Sequence, residues 1–278
     1  MTVLQACQLH NRGVIRISGE DRRTFLQGLI SNDIELCTPQ QPIYAALLTP
    51  QGKFLHDMFI IDTGDVFLVD CESARADNLI KRLGMYKLRA KVTLENVCAQ
   101  YEVWAGWGTN AAPQPWYVDP RLAALGFRAI AQKETHPAPI QHAEFETYDA
   151  HRLALGIPDG SRDMIVEKST LVECNLDMLN AISWTKGCYM GQELTARMHY
   201  RGLAKKRLFP VKIEGPAPSF GSLLEWDKDE AGEMRSAHES NGLALLNIEK
   251  AKTSIVEDIP MIGDNTRITP MYPEWMKL

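Results

Sequence analysis

The sequence predicts an α+β protein with mixed, largely antiparallel sheets, followed by a small C-terminal antiparallel β-barrel. In the first half of the chain, strand and helix candidates mix at short spacing, which favours antiparallel layers over a regular parallel repeat. After residue 206, short strand candidates follow one another between Gly, Pro and Asp turns, as in a small barrel. We therefore expect domains at residues 1–206 and 207–278. A further division of the first domain near residues 105–120 is left open.

Apolar periodicity and turn-forming residues place the individual elements. Asp21 is a candidate cap for the first helix, and Asn175 is a candidate cap for a short helix that follows it. In the first domain the strand candidates are residues 3–9, 14–18, 43–48, 54–61, 66–69, 92–97 and 101–104, and the helix candidates are residues 22–30, 73–83 and 142–155. In the second domain the strand candidates are residues 208–213, 223–226, 233–237, 242–247 and 267–269.

The composition is that of an ordinary globular protein, with 45% hydrophobic and 23% charged residues and a formal net charge of −5. That charge argues against direct nucleic-acid binding, and no apolar run approaches the roughly 18 residues that a membrane helix needs. The N-terminal residues lack a secretory signal and an Arg-rich presequence, so we expect a bacterial, cytoplasmic protein with no membrane partner. Six cysteines without a Cys-x-x-Cys pair predict no structural metal site.

Residues 186–197 read Lys-Gly-Cys-Tyr-Met-Gly-Gln-Glu-Leu-Thr-Ala-Arg and hold the most informative thiol of the chain. Glycines flank Cys188, and the residues after Gly191 have helical periodicity, so the thiol is expected beside a helix start. Unpaired N–H groups, the positive helix end and Lys186 would favour a thiolate, which is nucleophilic and binds metals. The alternative interpretation is a small buried side chain in a glycine turn.

Within this stretch, here called the signature loop, residues 186–193 are similar to the signature of the YgfZ family, folate-binding proteins related to the glycine-cleavage T-protein. The longer run, through residues 194–197 and on to 206–211, resembles the branch found in mitochondria and alphaproteobacteria, which assists maturation of [4Fe–4S] proteins. The resemblance implies a T-protein-like folate-binding domain, with tetrahydrofolate or a derivative as cofactor. It leaves open a transient iron–sulfur cluster on Cys188. The implied partners are assembly proteins of the A-type carrier class and [4Fe–4S] client enzymes.

The resemblance also implies which residues form the site. Cys188, Lys186 and Asp57 would carry chemistry, with Asp57 as an acid/base group or a pterin contact. The residues implied as folate contacts are Gln27, Asn32, Tyr148, Asn175, Tyr189, Gln192, Glu193 and Arg197. Structural roles compete with these: a solvated strand residue for Asp57, a helix-end loop for Asn32, and core packing for Tyr148.

Three functions stay open on the sequence alone. The first is a tetrahydrofolate-binding accessory factor for assembly or repair of [4Fe–4S] proteins, acting through the Lys-Gly-Cys loop. The second is a folate-dependent, aminomethyltransferase-like enzyme, although His56 stands where the T-protein has the first of two adjacent aspartates. The third is a factor that supports tRNA modification through iron–sulfur enzymes. The basic run at residues 197–207 suits the glutamyl tail of folate, an acidic partner or RNA, and such a run is also typical of a solvated face.

Overall fold

The computed structural model describes residues 3–277 except residues 134, 136, 138 and 139. The chain divides into two compact units, one formed by Met1–Phe145 and Leu179–Gln192 and the other by Glu146–Met178 and Glu193–Leu278. Each unit is built from two stretches of sequence, so the division differs from the single boundary predicted after residue 206.

The first unit contains two sheets, with strand orders β3-β4-β5-β2-β6 and β10-β1-β7-β9-β8. Among the described residues, β1 and β10 pair in parallel and the other pairs are antiparallel. The mixed, largely antiparallel character predicted from the sequence is confirmed. The strands are β1 (Gln5–Gln8), β2 (Arg12–Ser18), β3 (Ile43–Leu48), β4 (Phe54–Asp62), β5 (Phe67–Glu72), β6 (Thr93–Asn96), β7 (Tyr101–Trp107), β8 (Tyr117–Val118), β9 (Phe127–Gln132) and β10 (Gln141–His142).

Residues 105–120 lie inside this unit and run from the end of β7 to β8. Both strands pair with β9 in one sheet. Because the two ends of the segment join the same sheet, the segment connects the two strands on either side of β9 rather than separate subdomains.

Two helices of the first unit differ from their predicted bounds. The first, α1 (Arg22–Gln27), has its C-cap at Gly28 instead of continuing to Ile30, and Ile30 forms an isolated bridge to Leu47 in β3. Its predicted cap, Asp21, makes no capping hydrogen bond and accepts one from the backbone of Lys91 at 2.8 Å. The second, α2 (Ala76–Gly84), is preceded by a 3₁₀ turn at Ser73–Arg75, so the predicted single helix is two elements.

Charged side chains from both sheets are buried in the first unit. Arg12 donates from Nε to Asp70 at 2.7 Å and from Nη1 to Asp57 at 3.1 Å. Arg128 donates from Nε to the other oxygen of Asp70 at 2.5 Å. The ring of Phe59 packs against this network, with the guanidinium carbon of Arg128 3.8 Å from its centroid. The two guanidinium groups and two carboxylates compensate one another, which buried charges require.

The second unit is built around a closed barrel with the strand order β11-β14-β13-β12-β15-β16. Every described strand pair in it is antiparallel, which confirms the predicted C-terminal barrel. Its interior is filled by side chains such as Phe209, Met234 and Leu246. The strands are β11 (Lys206–Glu214), β12 (Leu223–Trp226), β13 (Asp229–His238), β14 (Asn241–Asn247), β15 (Met261–Gly263) and β16 (Thr266–Pro270), and the remaining helices of the chain are α3 (Phe145–Ala154), α4 (Gln192–Tyr200) and α5 (Ile248–Glu257).

Residues 146–178 belong with the barrel because they bond directly to it. The backbone N–H of Leu208 donates to the carbonyl of Glu173 at 2.9 Å, and the side chain of Asn175 donates to the carbonyl of Leu208 at 2.7 Å. Asn175 also has a positive φ of 62°. The predicted helix after it does not form, and residues 171–180 are turns, so Asn175 anchors a turn to β11 instead of capping a helix.

We predict that Asp70→Asn destabilises the protein by about 3–5 kcal/mol, because it leaves two buried guanidinium groups without their shared carboxylate. The free energy of unfolding in urea measures the effect. Glu95→Gln is the matched control, since Glu95 pairs with Arg16 at the surface. That variant should unfold with the wild-type midpoint, and equal loss in both variants would contradict the role given to Asp70.

Candidate functional site

The signature loop leads directly into α4, as its sequence predicts. Gly191 has a φ of +79°, and a Cβ at this position would lie 2.5 Å from the carbonyl oxygen of Thr49. Glycine is therefore required here for both backbone conformation and space. Just before it, the backbone N–H of Met190 donates to the carbonyl of Gly28 at 3.1 Å. The loop is thus held against the end of α1 and the turn between β3 and β4.

Cys188 is exposed in this loop. Among the six cysteines, all within the described residues, Cys98 is half-buried and the other four are buried. Burial raises the pKa of Cys37 to about 12 and that of Cys174 to about 12, and it also raises the pKa of Cys71. The exposure of Cys188 removes the interpretation of that residue as a small buried side chain.

Lys186 is buried, and its ammonium group points to backbone carbonyls. Its Nζ donates to the carbonyl of Asn32 at 2.7 Å and to that of Ile30 at 3.0 Å. Burial lowers the pKa of Lys186 to about 8, although the nearby Asp33 carboxylate acts in the opposite direction. The ammonium group of Lys186, which the sequence predicts to act on the Cys188 thiol, is thus hydrogen-bonded to the backbone of residues 30 and 32. Lys186 fastens the signature loop to the segment after α1, and its effect on the Cys188 thiolate stays a prediction.

A cavity of about 790 Å³ opens in the first unit next to these residues. That volume lies in the range of small-molecule sites, about 300–1,000 Å³. Asn32 is the predicted folate contact that lines it, and residues 182–185, just before Lys186, form part of its wall. Other lining residues include Ile43, Tyr44, Asp119, Leu122 and Asn180.

Asn32 and Tyr44 connect the cavity wall to the buried charges. The Asn32 amide donates to the carbonyls of Tyr44 and Asn180, at 2.8 Å each. The Tyr44 hydroxyl donates to Asp57 at 3.1 Å. Burial, together with the Asp57 carboxylate, raises the pKa of Tyr44 well above its ordinary value, so Tyr44 remains a neutral donor.

Asp57 is buried, and its two oxygens contact different partners. One accepts from Arg12 and the other from Tyr44. The alternative of a solvated strand residue is therefore wrong. With both oxygens engaged, Asp57 orients Tyr44, and the arrangement does not favour direct proton transfer by this carboxylate.

Asp119 and Arg121 form a second buried pair at the cavity. Arg121 donates to both oxygens of Asp119, at 3.0 and 2.8 Å. Burial alone would raise the pKa of Asp119, but Arg121 and Arg128 hold it below its ordinary value. The Arg121 guanidinium also lies over the ring of Tyr44, 5.7 Å from the centroid. Sequence reasoning missed this pair, because the two residues flank Pro120 in a stretch that carries only loop signals.

Gln27, Tyr189 and Gln192 lie in the first unit with Asn32. Gln27 donates to Asp33 at 2.9 Å and accepts from the backbone of Ile34 at 3.0 Å. Tyr189 is buried, and its backbone N–H donates to the side chain of Gln192 at 3.4 Å. These contacts stabilise the signature loop and the segment after α1 that lies against it.

The remaining predicted folate contacts belong to the second unit. Tyr148 is buried, Asn175 bonds to Leu208, and Glu193 and Arg197 are exposed. The folate roles of these residues stay predictions.

Only part of the basic run at residues 197–207 forms a solvated face. Arg201 and Lys205 are exposed. Arg207 is buried and donates to both oxygens of Asp177, at 2.8 Å each. It also bonds to the carbonyl of Val172 at 2.6 Å. The last cation of the run therefore has a structural role in the second unit.

Two features are absent from the described part of the chain. No group of three or more His, Cys, Asp or Glu side chains there is arranged to hold a metal ion. Within the same residues, no helix has both the length and the apolar character to cross a membrane.

Comparison with known proteins shows which family the chain belongs to. Residues 205–278 match the family model described as CAF17, C-terminal beta-barrel domain. The mouse protein named iron-sulfur cluster assembly factor IBA57, mitochondrial, is 34% identical, over 96% of this chain and 84% of its own length. The human protein of the same name is also 34% identical, over 89% of this chain and 79% of its own. The chain belongs to the IBA57 family.

The fold is that of the T-protein. The glycine cleavage system aminomethyltransferase T from Bartonella henselae superposes with a TM-score of 0.75, covering 99% of this chain and 86% of that one at 12% identity. Identity this low shows the fold alone. The architecture predicted from the sequence, a T-protein-like domain with a C-terminal barrel, is confirmed.

These relatives also correct one prediction. The mouse and human relatives are mitochondrial proteins by name, and so is the relative from Coccidioides immitis, at 30% identity. The expectation of a bacterial, cytoplasmic protein is therefore wrong. It was based on the absence of an N-terminal targeting pattern, which is weak evidence on location. The finer resemblance to the YgfZ family stays a prediction.

We predict that iodoacetamide at neutral pH alkylates Cys188 before the other five cysteines. Cys188 is exposed, whereas burial both hides Cys37, Cys71 and Cys174 and raises their thiol pKa. Peptide mass spectrometry over a time course gives the order of labelling. The half-buried Cys98 is the internal control, and its labelling ahead of Cys188 would contradict the exposed placement.

Proposed function

We propose that the protein is a tetrahydrofolate-binding accessory factor for the assembly or repair of [4Fe–4S] proteins, acting through the Lys-Gly-Cys loop. The observation that carries the proposal is an exposed Cys188, on a loop that is fixed by Gly191, in a chain of the IBA57 family. The relatives are named as iron–sulfur cluster assembly factors. A thiol that is accessible on an anchored loop can reach a protein-bound cluster, which a buried thiol cannot.

The cavity of the first unit fits the flat head of a folate. Its volume of about 790 Å³ accommodates a ligand of that size. Asn32, Asn180 and Gln41 present amide groups in its lining, and Trp184 and Tyr44 contribute aromatic walls. Among the described residues that line it, none is Lys or Arg, so the anionic glutamyl tail would extend out of this cavity. When bound, tetrahydrofolate would supply nitrogens that carry one-carbon units.

The thiol of Cys188 would act in one of three ways. It could ligate a cluster during transfer, exchange electrons as a thiol, or act on a one-carbon unit carried by the folate. The absence of a three-ligand group among the described residues favours a cluster shared with another protein over one held by this chain alone. Proteins of the A-type carrier class and [4Fe–4S] client enzymes are the partners we propose.

The aminomethyltransferase alternative fits the geometry less well. It requires a carboxylate placed at the reacting nitrogens of the folate. The Asp57 carboxylate is bonded to Arg12 and Tyr44, and His56, at the neighbouring position, is buried with its pKa lowered to about 4 by that burial and by Arg75. Support of tRNA modification would follow indirectly, through iron–sulfur enzymes that act on tRNA.

We predict that unsubstituted or 5-formyl tetrahydrofolate raises the thermal midpoint of the wild-type protein, since a ligand that binds only the folded state stabilises it. Ala123→Trp should abolish the increase, because Ala123 is an exposed residue that lines the cavity. Ala124→Trp is the matched control in the same 3₁₀ turn, and it is exposed without lining the cavity. A wild-type midpoint that saturating folate leaves unchanged would remove folate from the proposal.

We predict that Cys188→Ser fails to restore [4Fe–4S] enzyme activity in a strain that lacks the protein. The exposed side chain changes little in volume, so folding and the folate-induced thermal shift should be nearly unchanged. Lys186→Ala should give a milder loss, because it releases the loop without removing the thiol. Cys98→Ser is the control. Full complementation by Cys188→Ser would refute a function of the signature thiol.

A further inference from the structure

The stretch of chain directly before the signature loop forms part of the cavity wall. Residues 182–185 all line the cavity of about 790 Å³, and Lys186 follows directly. Trp184 is half-buried and Thr185 is exposed, so an occupant of the cavity would cover side chains that solvent reaches. The stretch at residues 180–185 is here called the wall segment.

Hydrogen bonds fix the wall segment to the residues after α1. The backbone N–H of Ser183 donates to the carbonyl of Ser31 at 3.1 Å. The Ser31 hydroxyl donates in turn to the carbonyl of Ala181 at 2.6 Å. The Asn32 amide donates to the carbonyl of Asn180 at 2.8 Å. Movement of the wall segment would therefore break its bonds to residues 31 and 32.

Two residues of the cavity lining bond directly to Lys186. The Ser183 hydroxyl accepts from the backbone N–H of Lys186 at 3.2 Å, and the Asn32 carbonyl accepts from its Nζ at 2.7 Å. Lys186 itself is not among the described residues that line the cavity. Its position is nevertheless set by residues that an occupant of the cavity would contact.

Cys188 depends on such anchors because few contacts hold it directly. With the described part of the chain, neither Gly187 nor Cys188 forms a hydrogen bond. A Cβ built on Gly187 would meet no atom within 4 Å. The loop is held on one side at Lys186 and on the other at Met190, whose backbone N–H donates to the carbonyl of Gly28. The position of the thiol thus follows from these two anchors.

We propose that the wall segment couples the cavity to the signature thiol, with Trp184 as the positioning residue. An occupant that packs against Trp184 restricts the wall segment. The bonds to Lys186 are then kept, and the loop around Cys188 becomes more ordered. The identity of the occupant as a folate rests on the proposed function, whereas the coupling rests on the contacts above. Because coupling between two sites is reciprocal, releasing Lys186 weakens binding in the cavity.

Hydrogen exchange of the full-length protein, followed by mass spectrometry of peptides that cover residues 186–191, tests the coupling without a ligand. Trp184→Ala should speed exchange in these peptides about threefold or more, since the wall segment loses packing next to Lys186. Trp184→Phe keeps a ring at this position and should restore slow exchange. Ser183→Ala is a milder second variant, which removes the acceptor of the Lys186 N–H and should change exchange in the same direction.

Leu122→Ala is the matched control for these variants. It enlarges the same cavity from a part of the chain that lies outside the wall segment, so exchange at residues 186–191 should match the wild type. Wild-type exchange in both Trp184→Ala and Ser183→Ala, or an equal increase in Leu122→Ala, would overturn the proposal.

The same measurement with saturating, unsubstituted tetrahydrofolate tests the response to an occupant. Exchange at residues 186–191 of the wild type should slow about threefold or more, because binding restricts the wall segment. Peptides that cover the turn at residues 227–228, in the second unit, should be unchanged. Calorimetry should show that Lys186→Ala weakens tetrahydrofolate binding about fivefold or more. Cys188→Ser should bind within about twofold of the wild type, because the thiol holds neither anchor.

The outcomes separate the coupling from the proposed function. If tetrahydrofolate raises the thermal midpoint but leaves exchange at residues 186–191 unchanged, the coupling is overturned and the folate site stands. Wild-type affinity of Lys186→Ala for tetrahydrofolate would also overturn the coupling. If tetrahydrofolate does not bind but Trp184→Ala speeds exchange as expected, the folate assignment fails, and the result supports the wall segment as the element that positions the thiol.

Discussion

The first unit depends on one carboxylate, that of Asp70, which is shared by two buried guanidinium groups. Arg12 and Arg128 approach it from neighbouring sheets, because Arg12 begins β2 and Arg128 lies in β9. Charges in the interior are tolerated only when their partners are fixed. The position of one arginine therefore limits the position of the other. Arg12 also donates to Asp57, and Asp57 accepts from Tyr44, so the same network positions both residues.

This network positions residues of the cavity wall and, through them, the signature loop. Tyr44 is oriented by Asp57 on one side and by the Arg121 guanidinium on the other. Its backbone carbonyl accepts from Asn32, whose own carbonyl accepts from Lys186. A continuous series of polar contacts thus runs from the buried charges to the loop that presents Cys188. It fixes the loop without any contact to the thiol itself.

The features that could be predicted from the sequence are those marked by local sequence patterns. Cys188 in a glycine turn before a helix, and a barrel of short strands, both arise from residues close together along the chain. The local sequence places Lys186 near the thiol, but it gives no sign of the carbonyls that its ammonium group bonds to, those of Ile30 and Asn32, because they are more than 150 residues away. Asn175 carries a capping pattern, but long-range bonds to Leu208 and Arg207 prevail over it. Arg121, which pairs with Asp119, contacts Tyr44 from a distant part of the chain, and no motif marks either residue of the pair.

Lys186 has a consequence for the loop that goes beyond anchoring. With a pKa of about 8, its ammonium group loses its proton at mildly alkaline pH, where most lysines stay charged. A neutral amine still carries two N–H bonds, and the Asn32 and Ile30 carbonyls require two donors. The hydrogen bonds can therefore persist while the charge disappears. Deprotonation of Lys186 would therefore change the electrostatic field at the signature loop while both hydrogen bonds that hold the loop remain possible.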